Sequence, residues 1–89
     1  MQALFSSRTR VALLRIFLTA PDKDYYLREI GRMLNESTTP IRRELLNLKR
    51  IGLLVDSKVA NLIYYKVNKD FPLFNELYAM VKKTEQEKI

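Results

Sequence analysis

Three side chains near the middle of this chain have the chemistry needed to recognise the edges of nucleic-acid bases. Arg42, Arg43 and Asn47 fall within six consecutive positions. A guanidinium can donate two hydrogen bonds to guanine and a carboxamide can pair with adenine, each contributing about 1–3 kcal/mol of discrimination. Thr39 adds a hydroxyl four residues before Arg43. These four residues are therefore candidates for base contact, and the alternative is an ordinary solvated helix face.

The four candidates belong to a predicted helix that starts at Thr38 and continues to about Arg50. Ser37 and Thr38 are good N-cap residues, and Pro40 is tolerated in a first turn because its missing N–H would be unpaired there. Gly52 is placed where a C-terminal stop is expected. At about 100° per residue the helix has an apolar face and an opposite cationic face. The apolar face contains Ile41, Leu45 and Leu48, and the other contains Thr39, Arg42, Arg43, Leu46, Asn47 and Arg50. Leu46 on that second face could touch a thymine methyl group, but we expect it to pack under the hairpin that follows the helix.

Residues around this helix are candidates for contact with phosphates. Ser37 and Thr38 precede or begin it, where free N–H groups and the helix dipole favour anions, and Ser37 can equally be a cap alone. Arg28 and Arg32 are an i, i+4 pair on a preceding predicted helix, Leu27–Leu34, and phosphate contacts of this kind position a protein without reading sequence. A solvated stripe, with Arg32 paired to a nearby glutamate, explains the two arginines as well.

The elements around this pair of helices predict a mainly α fold with a small β-hairpin, an α+β winged helix-turn-helix in one domain spanning 1–89. Two short helices joined by a tight turn form a helix-turn-helix, and a hairpin directly after them makes it winged. The further predicted elements are a first helix over Ser7–Thr19, an extended Tyr25–Tyr26, strands over Leu53–Lys58 and Leu62–Asn68 with a turn at Val59–Asn61, a closing helix over about 70–83 and a frayed tail over 84–89.

Three further expectations follow from single residues. Ser6 or Ser7 can cap the first helix, and Gly31 fits a close crossing of the two short helices. Tyr64 and Tyr65 alternate across the second strand, so we expect one in the core and the other over the helix that starts at Thr38.

The residues that are missing limit the possible chemistry. The chain has no Cys, no His and only two Gly. These absences exclude a thiolate or imidazole metal site, a Ser-His-Asp triad and a glycine-rich phosphate loop. The ten carboxylates are scattered along the chain. We therefore expect no enzyme, no metal and no cofactor.

Charge points to a polyanionic partner. The net charge is +6, and residues 1–69 carry +7 whereas residues 70–89 carry −1. A basic body favours nucleic acid as partner, although many globular proteins are mildly basic.

The sequence shows neither a membrane span nor a signal peptide. No apolar run approaches the roughly 18–20 residues that span a membrane, and arginines interrupt the first apolar stretch, where a signal peptide would have an unbroken apolar segment. We expect a cytoplasmic protein with no membrane partner.

Several of these segments resemble a known family. The runs LREIG at 27–31, RELLNLKRIGLL at 43–54 and IYYKVN at 63–68 are similar to motifs of winged helix-turn-helix regulators of the ArsR/MarR-like group, of the small prokaryotic and often archaeal type. Phe71–Phe74 resembles the start of that group's closing helix. The resemblance covers about residues 4–83 and implies a transcription regulator that binds double-stranded DNA. The hairpin turn lacks the group's usual glycine and arginine, so Lys58, Asn61 and Lys66 are the candidate wing contacts.

The first and last predicted helices are apolar over wider arcs than a small three-helix core needs. A chain of this length buries only about 60% of the surface that it exposes when unfolded. A second copy of the chain would bury the apolar side chains of these two helices that its own core leaves exposed. We predict a homodimer that uses Leu13, Phe17, Phe74, Leu77, Tyr78 and Val81. Its two recognition helices would lie about 34–36 Å apart, one turn of DNA. The alternative is a monomer with a large core.

Two function classes fit these sequence features. The first is a sequence-specific, homodimeric DNA-binding transcription regulator. The second is a winged-helix module that binds a partner protein, such as a nucleotidyltransferase-like subunit, because winged domains of this type also accompany those enzymes. Binding of structured RNA is a minor alternative. The variant Arg43→Ala discriminates between them: it should abolish duplex binding under the first class and leave partner binding intact under the second.

Overall fold

The computed structural model describes residues 2–87, with side chains from Arg8 to Lys83. Within this range the chain forms four helices and three strands. Their bounds are α1 Gln2–Thr19, β1 Tyr25–Tyr26, α2 Leu27–Leu34, α3 Thr38–Arg50, β2 Leu54–Val59, β3 Leu62–Val67 and α4 Phe74–Glu87. The predicted α+β class is confirmed, and α2 and α3 have the predicted bounds. The strands differ from the prediction by one residue at a few ends, within the usual uncertainty of such limits.

The two outer helices differ more from the prediction. Helix α1 begins at Gln2, so Ser7 lies inside the helix and is not at its N-cap position. Helix α4 begins at Phe74 and not near Asp70, because the preceding residues form a turn in which the Phe74 N–H donates to the Phe71 carbonyl. It continues to Glu87, and the last two residues of the predicted tail, 88–89, lie outside the described range.

The strands form one antiparallel sheet in the order β1-β3-β2. The predicted hairpin is β2–β3, in which Leu54 lies opposite Val67 at the base and Val59 opposite Leu62 at the tip. Strand β1 adds a third member, with Tyr25 opposite Tyr65. The sheet therefore ties the start of α2 to the hairpin, a connection that two extended residues alone do not predict.

The core lies between α1, α2, α3 and the inner face of the sheet. Its buried side chains are Leu13, Phe17, Leu18, Tyr25, Ile30, Ile41, Leu45, Leu48, Leu53, Leu54, Tyr65 and Val67. The Phe17 and Tyr25 rings meet edge to face at 5.4 Å between centroids. Leu13 and Phe17 are 0% and 1% exposed, so assigning them to a dimer interface is wrong: they complete the core of one protomer.

The turn between α2 and α3 sets the crossing of the two helices. Asn35 has φ 54°, a left-handed conformation that Asn tolerates at a helix end, and the N–H of Glu36 donates to the Gly31 carbonyl at 3.1 Å. A Cβ built on Gly31 would lie 3.3 Å from Cγ2 of Thr38. The glycine therefore permits the close approach that places the first turn of α3, as the sequence predicts.

Candidate nucleic-acid interface

Helix α3 separates an apolar face from a cationic one. Ile41, Leu45 and Leu48 are buried in the core, as predicted. The helix ends with Ile51 as C-cap and Gly52 at φ 94°, where the N–H of Leu53 donates to the Leu48 carbonyl. Burial of one face against α1 and α2 leaves the opposite face in solvent, which is the arrangement that places a recognition helix in a major groove.

The exposed face of α3 has three adjoining parts. Thr39, Arg43, Leu46 and Arg50 follow one another at helical spacing and form its centre, which we call the recognition stripe. All four residues are exposed. Arg42 lies on one side of the stripe and is exposed, whereas Asn47 lies on the other and is half-buried. The stripe therefore presents two guanidinium groups, with Arg42 alongside.

Several predicted contacts meet in a groove between α2, α3 and the hairpin. The groove has a volume of about 580 Å³ and brings together Arg28, Arg32, Arg42 and Asn61. Arg32 donates through Nη2 to the Tyr26 hydroxyl at 3.1 Å, so its guanidinium is held by a phenol and not by Glu29 or Glu36 as considered from the sequence.

A second, shallower groove follows the turn between α2 and α3. It has a volume of about 540 Å³ and places Ser37 and Thr38 beside the same two α2 arginines. Ser37 occupies the N-cap position of α3, but its hydroxyl makes no capping hydrogen bond. The hydroxyl is therefore available to an outside acceptor such as a phosphate oxygen.

The two lysines of the hairpin lie on opposite faces of the sheet, so they cannot contact one surface together. Alternation along the strands puts Lys58 on the same face of the sheet as its neighbour Tyr65 and puts Lys66 on the opposite face. Lys58 and Asn61 are near the hairpin tip. Lys66 lies opposite Val55 near the base. The pKa of the nearby Asp22 carboxyl is lowered mainly by its hydrogen bond to Lys69 and by the charge of that lysine, and to a smaller extent by the charge of Lys66.

Two ion pairs that the sequence did not suggest hold α3 in place. Glu44 is 4% exposed and its carboxylate accepts from Nε of Arg10 at 3.0 Å, an arrangement that raises the pKa of Arg10. Lys49 donates to Asp56 on β2 at 2.7 Å, and this contact raises the pKa of Lys49. The first pair joins α3 to α1 and the second joins it to the hairpin. Arg10, an isolated charge within an apolar stretch, was the available signal for the first.

Two side chains lie elsewhere than the sequence suggested. Leu46 was expected to pack under the hairpin, but it is 46% exposed. Tyr64 was considered as a cover for α3, but its ring packs edge to face on Tyr26, with centroids 5.6 Å apart. Tyr65 is buried, which fits the expectation that one of the two tyrosines belongs to the core.

Over the part of the chain that the structure describes, no helix is both long and apolar enough to cross a membrane. The same residues hold no group of three or more acidic side chains placed to bind a metal ion.

Comparison with known proteins gives one informative similarity. No family model matches the chain and no curated protein matches it. The solved structure of reduced HlyU from Vibrio cholerae N16961 superimposes with a TM-score of 0.68 at 21% identity, over 94% of this chain and 82% of that one. The chain has the winged-helix fold. In this fold α2 and α3 form the helix-turn-helix and β2–β3 is the wing.

Proposed function

We propose that this protein is a sequence-specific transcription regulator that binds double-stranded DNA through α3. The observation that carries the proposal is the exposed cationic face of a helix whose other face is buried. Within the described residues no carboxylate pairs with Arg42, Arg43 or Arg50. Clustered unpaired guanidinium groups repel one another, and a polyanion relieves that repulsion. The winged-helix fold, shared with HlyU, supports the same conclusion.

The residues divide into two roles under this proposal. Thr39, Arg43 and Asn47 contact base edges in the major groove, and Arg42 at the border of the groove contacts base or phosphate. Sequence-independent contacts to phosphates come from Arg28, Arg32, Ser37, Thr38, Lys58 and Asn61. Lys66, near the base of the wing, is the weakest member of this second set.

A salt-dependent binding experiment tests the proposal. Anisotropy of a labelled duplex, obtained by selection from random sequences, should give a logarithmic affinity that falls with log salt by about 0.9 for each phosphate neutralised. Arg43→Ala should weaken binding by about 10- to 100-fold, the value of a lost base contact. Arg8→Ala, which removes an exposed arginine of α1, is the matched control. Absence of binding to any duplex at low salt would refute the proposal.

We also propose that the protein acts as a homodimer through the exposed surface between α1 and α4. Leu13 and Phe17 are replaced in this role by Val11 and Met80, which are exposed and line an apolar cleft with half-buried Leu77 and Val81. Phe74 and Tyr78 stack on each other beside this surface, with ring centroids 5.8 Å apart. Burial of exposed apolar area is the main favourable term in association.

Sedimentation or light scattering tests the dimer. Met80→Lys should shift the protein towards monomer, because a dimer would bury an unpaired ammonium. Met33→Lys, at an exposed methionine of α2, should leave the association state unchanged. A wild-type protein that is monomeric at all accessible concentrations would contradict the dimer.

One observation favours a second function, a module that binds a partner protein. Val55, Val59 and Leu62 share the outer face of the hairpin and are exposed. A wing that lies against DNA gains little from this apolar surface, whereas a protein interface does. If Val59→Lys leaves duplex binding intact but abolishes capture of a partner from the same cell, the wing serves the second function.

A further inference from the structure

Leu46 is the one exposed apolar side chain of α3, all of whose side chains the structure describes. It occupies the recognition stripe, two turns after Thr39, one turn after Arg43 and one turn before Arg50. Its neighbours on the exposed side are therefore mainly guanidinium groups. Neither the core nor the hairpin covers it.

The position of Leu46 matches one feature of the major groove. Thymine is the base that presents a methyl group there, and apolar side chains discriminate thymine by contact with that methyl. Leu46 is three residues beyond Arg43 and four beyond Arg42, about 4.5–6 Å along the helix axis at 1.5 Å per residue. That distance corresponds to roughly one to two base-pair steps of about 3.4 Å. The leucine would thus meet a different base pair from the one held by the arginines.

We propose that Leu46 is a specificity-determining residue that recognises thymine through its C5-methyl group. The inference rests on the proposed DNA-binding function and adds a base preference to it. The arginines bring the helix into the groove and favour guanine, and Leu46 selects a thymine roughly one to two steps away. Exclusion of water from the leucine and the methyl group drives the contact.

Replacement of thymine by deoxyuridine tests the proposal, because uracil differs only by the missing methyl. Each thymine of a selected duplex is replaced in turn, and the affinity is measured by anisotropy. We expect one position in each half-site at which the replacement weakens binding by about fourfold, since burial of one methyl contributes about 0.8 kcal/mol and about 1.4 kcal/mol corresponds to a tenfold change. Leu46→Ala should lose this sensitivity at that position alone.

Ile51→Ala is the matched control, because Ile51 is an exposed apolar residue just beyond α3 and off the stripe. It should keep the fourfold response. A second selection with the Leu46→Ala protein should recover the arginine-dependent bases but no preference at the thymine. Because Leu46 is exposed, the Leu46→Ala variant is expected to unfold at the same temperature as the wild type. Thermal unfolding followed by circular dichroism verifies this.

The possible outcomes separate the two proposals. If no duplex binds, the DNA-binding function fails. If a duplex binds but no thymine responds to removal of its methyl, or if the response persists in Leu46→Ala, the role of Leu46 is refuted while the function stands.

Discussion

Helix α3 and the β2–β3 hairpin are joined by only three residues, yet they distribute polar and apolar side chains in opposite ways. In α3 the apolar residues are buried and the exposed side is cationic, apart from Leu46. The hairpin exposes Val55, Val59 and Leu62, and its two lysines lie on opposite faces of the sheet. The helix has the surface of a polyanion-binding element, and the hairpin does not.

This difference indicates how the two elements contribute to binding. The hairpin supports α3 through the Lys49–Asp56 ion pair and through Asn68, whose side chain donates to the Gly52 carbonyl at 2.9 Å. Under the proposed function, electrostatic attraction to DNA is instead concentrated on α2 and α3. A winged-helix protein of this kind should therefore tolerate changes in the wing that it would not tolerate in the helix.

The largest expected effect contrasts core and wing. Leu45→Ala should lower the free energy of unfolding by about 2–5 kcal/mol, because it leaves a cavity in the core. Val59→Ala should change it by less than about 0.5 kcal/mol, since Val59 is 57% exposed. Urea denaturation measures both. Equal effects would show that the wing is as tightly packed as the helix.

The next effect contrasts the charges of the helix-turn-helix with those of the hairpin. Arg28→Ala combined with Arg32→Ala should reduce the salt slope of duplex binding by about 1.8, the loss of two phosphate contacts at about 0.9 each. Lys58→Ala combined with Lys66→Ala should reduce it by no more than about 0.9, because the two lysines face opposite ways. Equal reductions would contradict the unequal division of charge.

The third effect concerns the ion pair between Arg10 and Glu44, which holds α3 against α1. Arg10→Ala leaves the buried Glu44 carboxylate without its partner and should cost about 1–3 kcal/mol of unfolding free energy. The value is below that of a fully buried pair because the Arg10 side chain is about half exposed. Arg8→Ala on the same helix serves as control and should have little effect. Thermal unfolding at constant pH distinguishes the two variants.

Much of the fold follows from patterns in the sequence, and the exceptions have a common physical reason. The bounds of α2 and α3 follow from apolar periodicity and from the residues at their ends, which are local signals. The pairing of Arg10 with Glu44, and of β1 with β3, joins residues far apart in the chain. No local pattern specifies such partners, since they depend on how the elements cross.

The candidate site was predicted to a similar extent. Helical spacing alone placed Arg42 and Arg43 on the exposed side of α3. Assignment of Leu13 and Phe17 to an interface failed because a wide apolar arc does not distinguish the core of one protomer from contact with another. The exposure of Leu46 was missed for the related reason that the width of the space under the hairpin is a tertiary property.

The smallest expected effect concerns the tip of the wing. Ala60 has φ 56°, a left-handed conformation that costs a residue with a Cβ roughly 1–2 kcal/mol. Ala60→Gly should raise the free energy of unfolding by up to about 1 kcal/mol, because the relief is partly offset by the greater flexibility of glycine when unfolded. Ala79→Gly, within α4, should instead lower it by about 1 kcal/mol. The free energy of unfolding should therefore change in opposite directions in the two variants, and a decrease in both would contradict the strain at Ala60.

The pairing of β1 with the middle strand of the sheet has a consequence for how the chain folds. The β2–β3 hairpin closes a loop of two residues, whereas Tyr25 and Tyr65 are forty positions apart. Because the entropy lost on closing a loop grows with its length, the hairpin can form early and by itself, while β1 joins only after α2 and α3 have shortened the path between them. We therefore expect completion of the sheet to be a late step, which fixes the hairpin to the helices only when α3 is already formed.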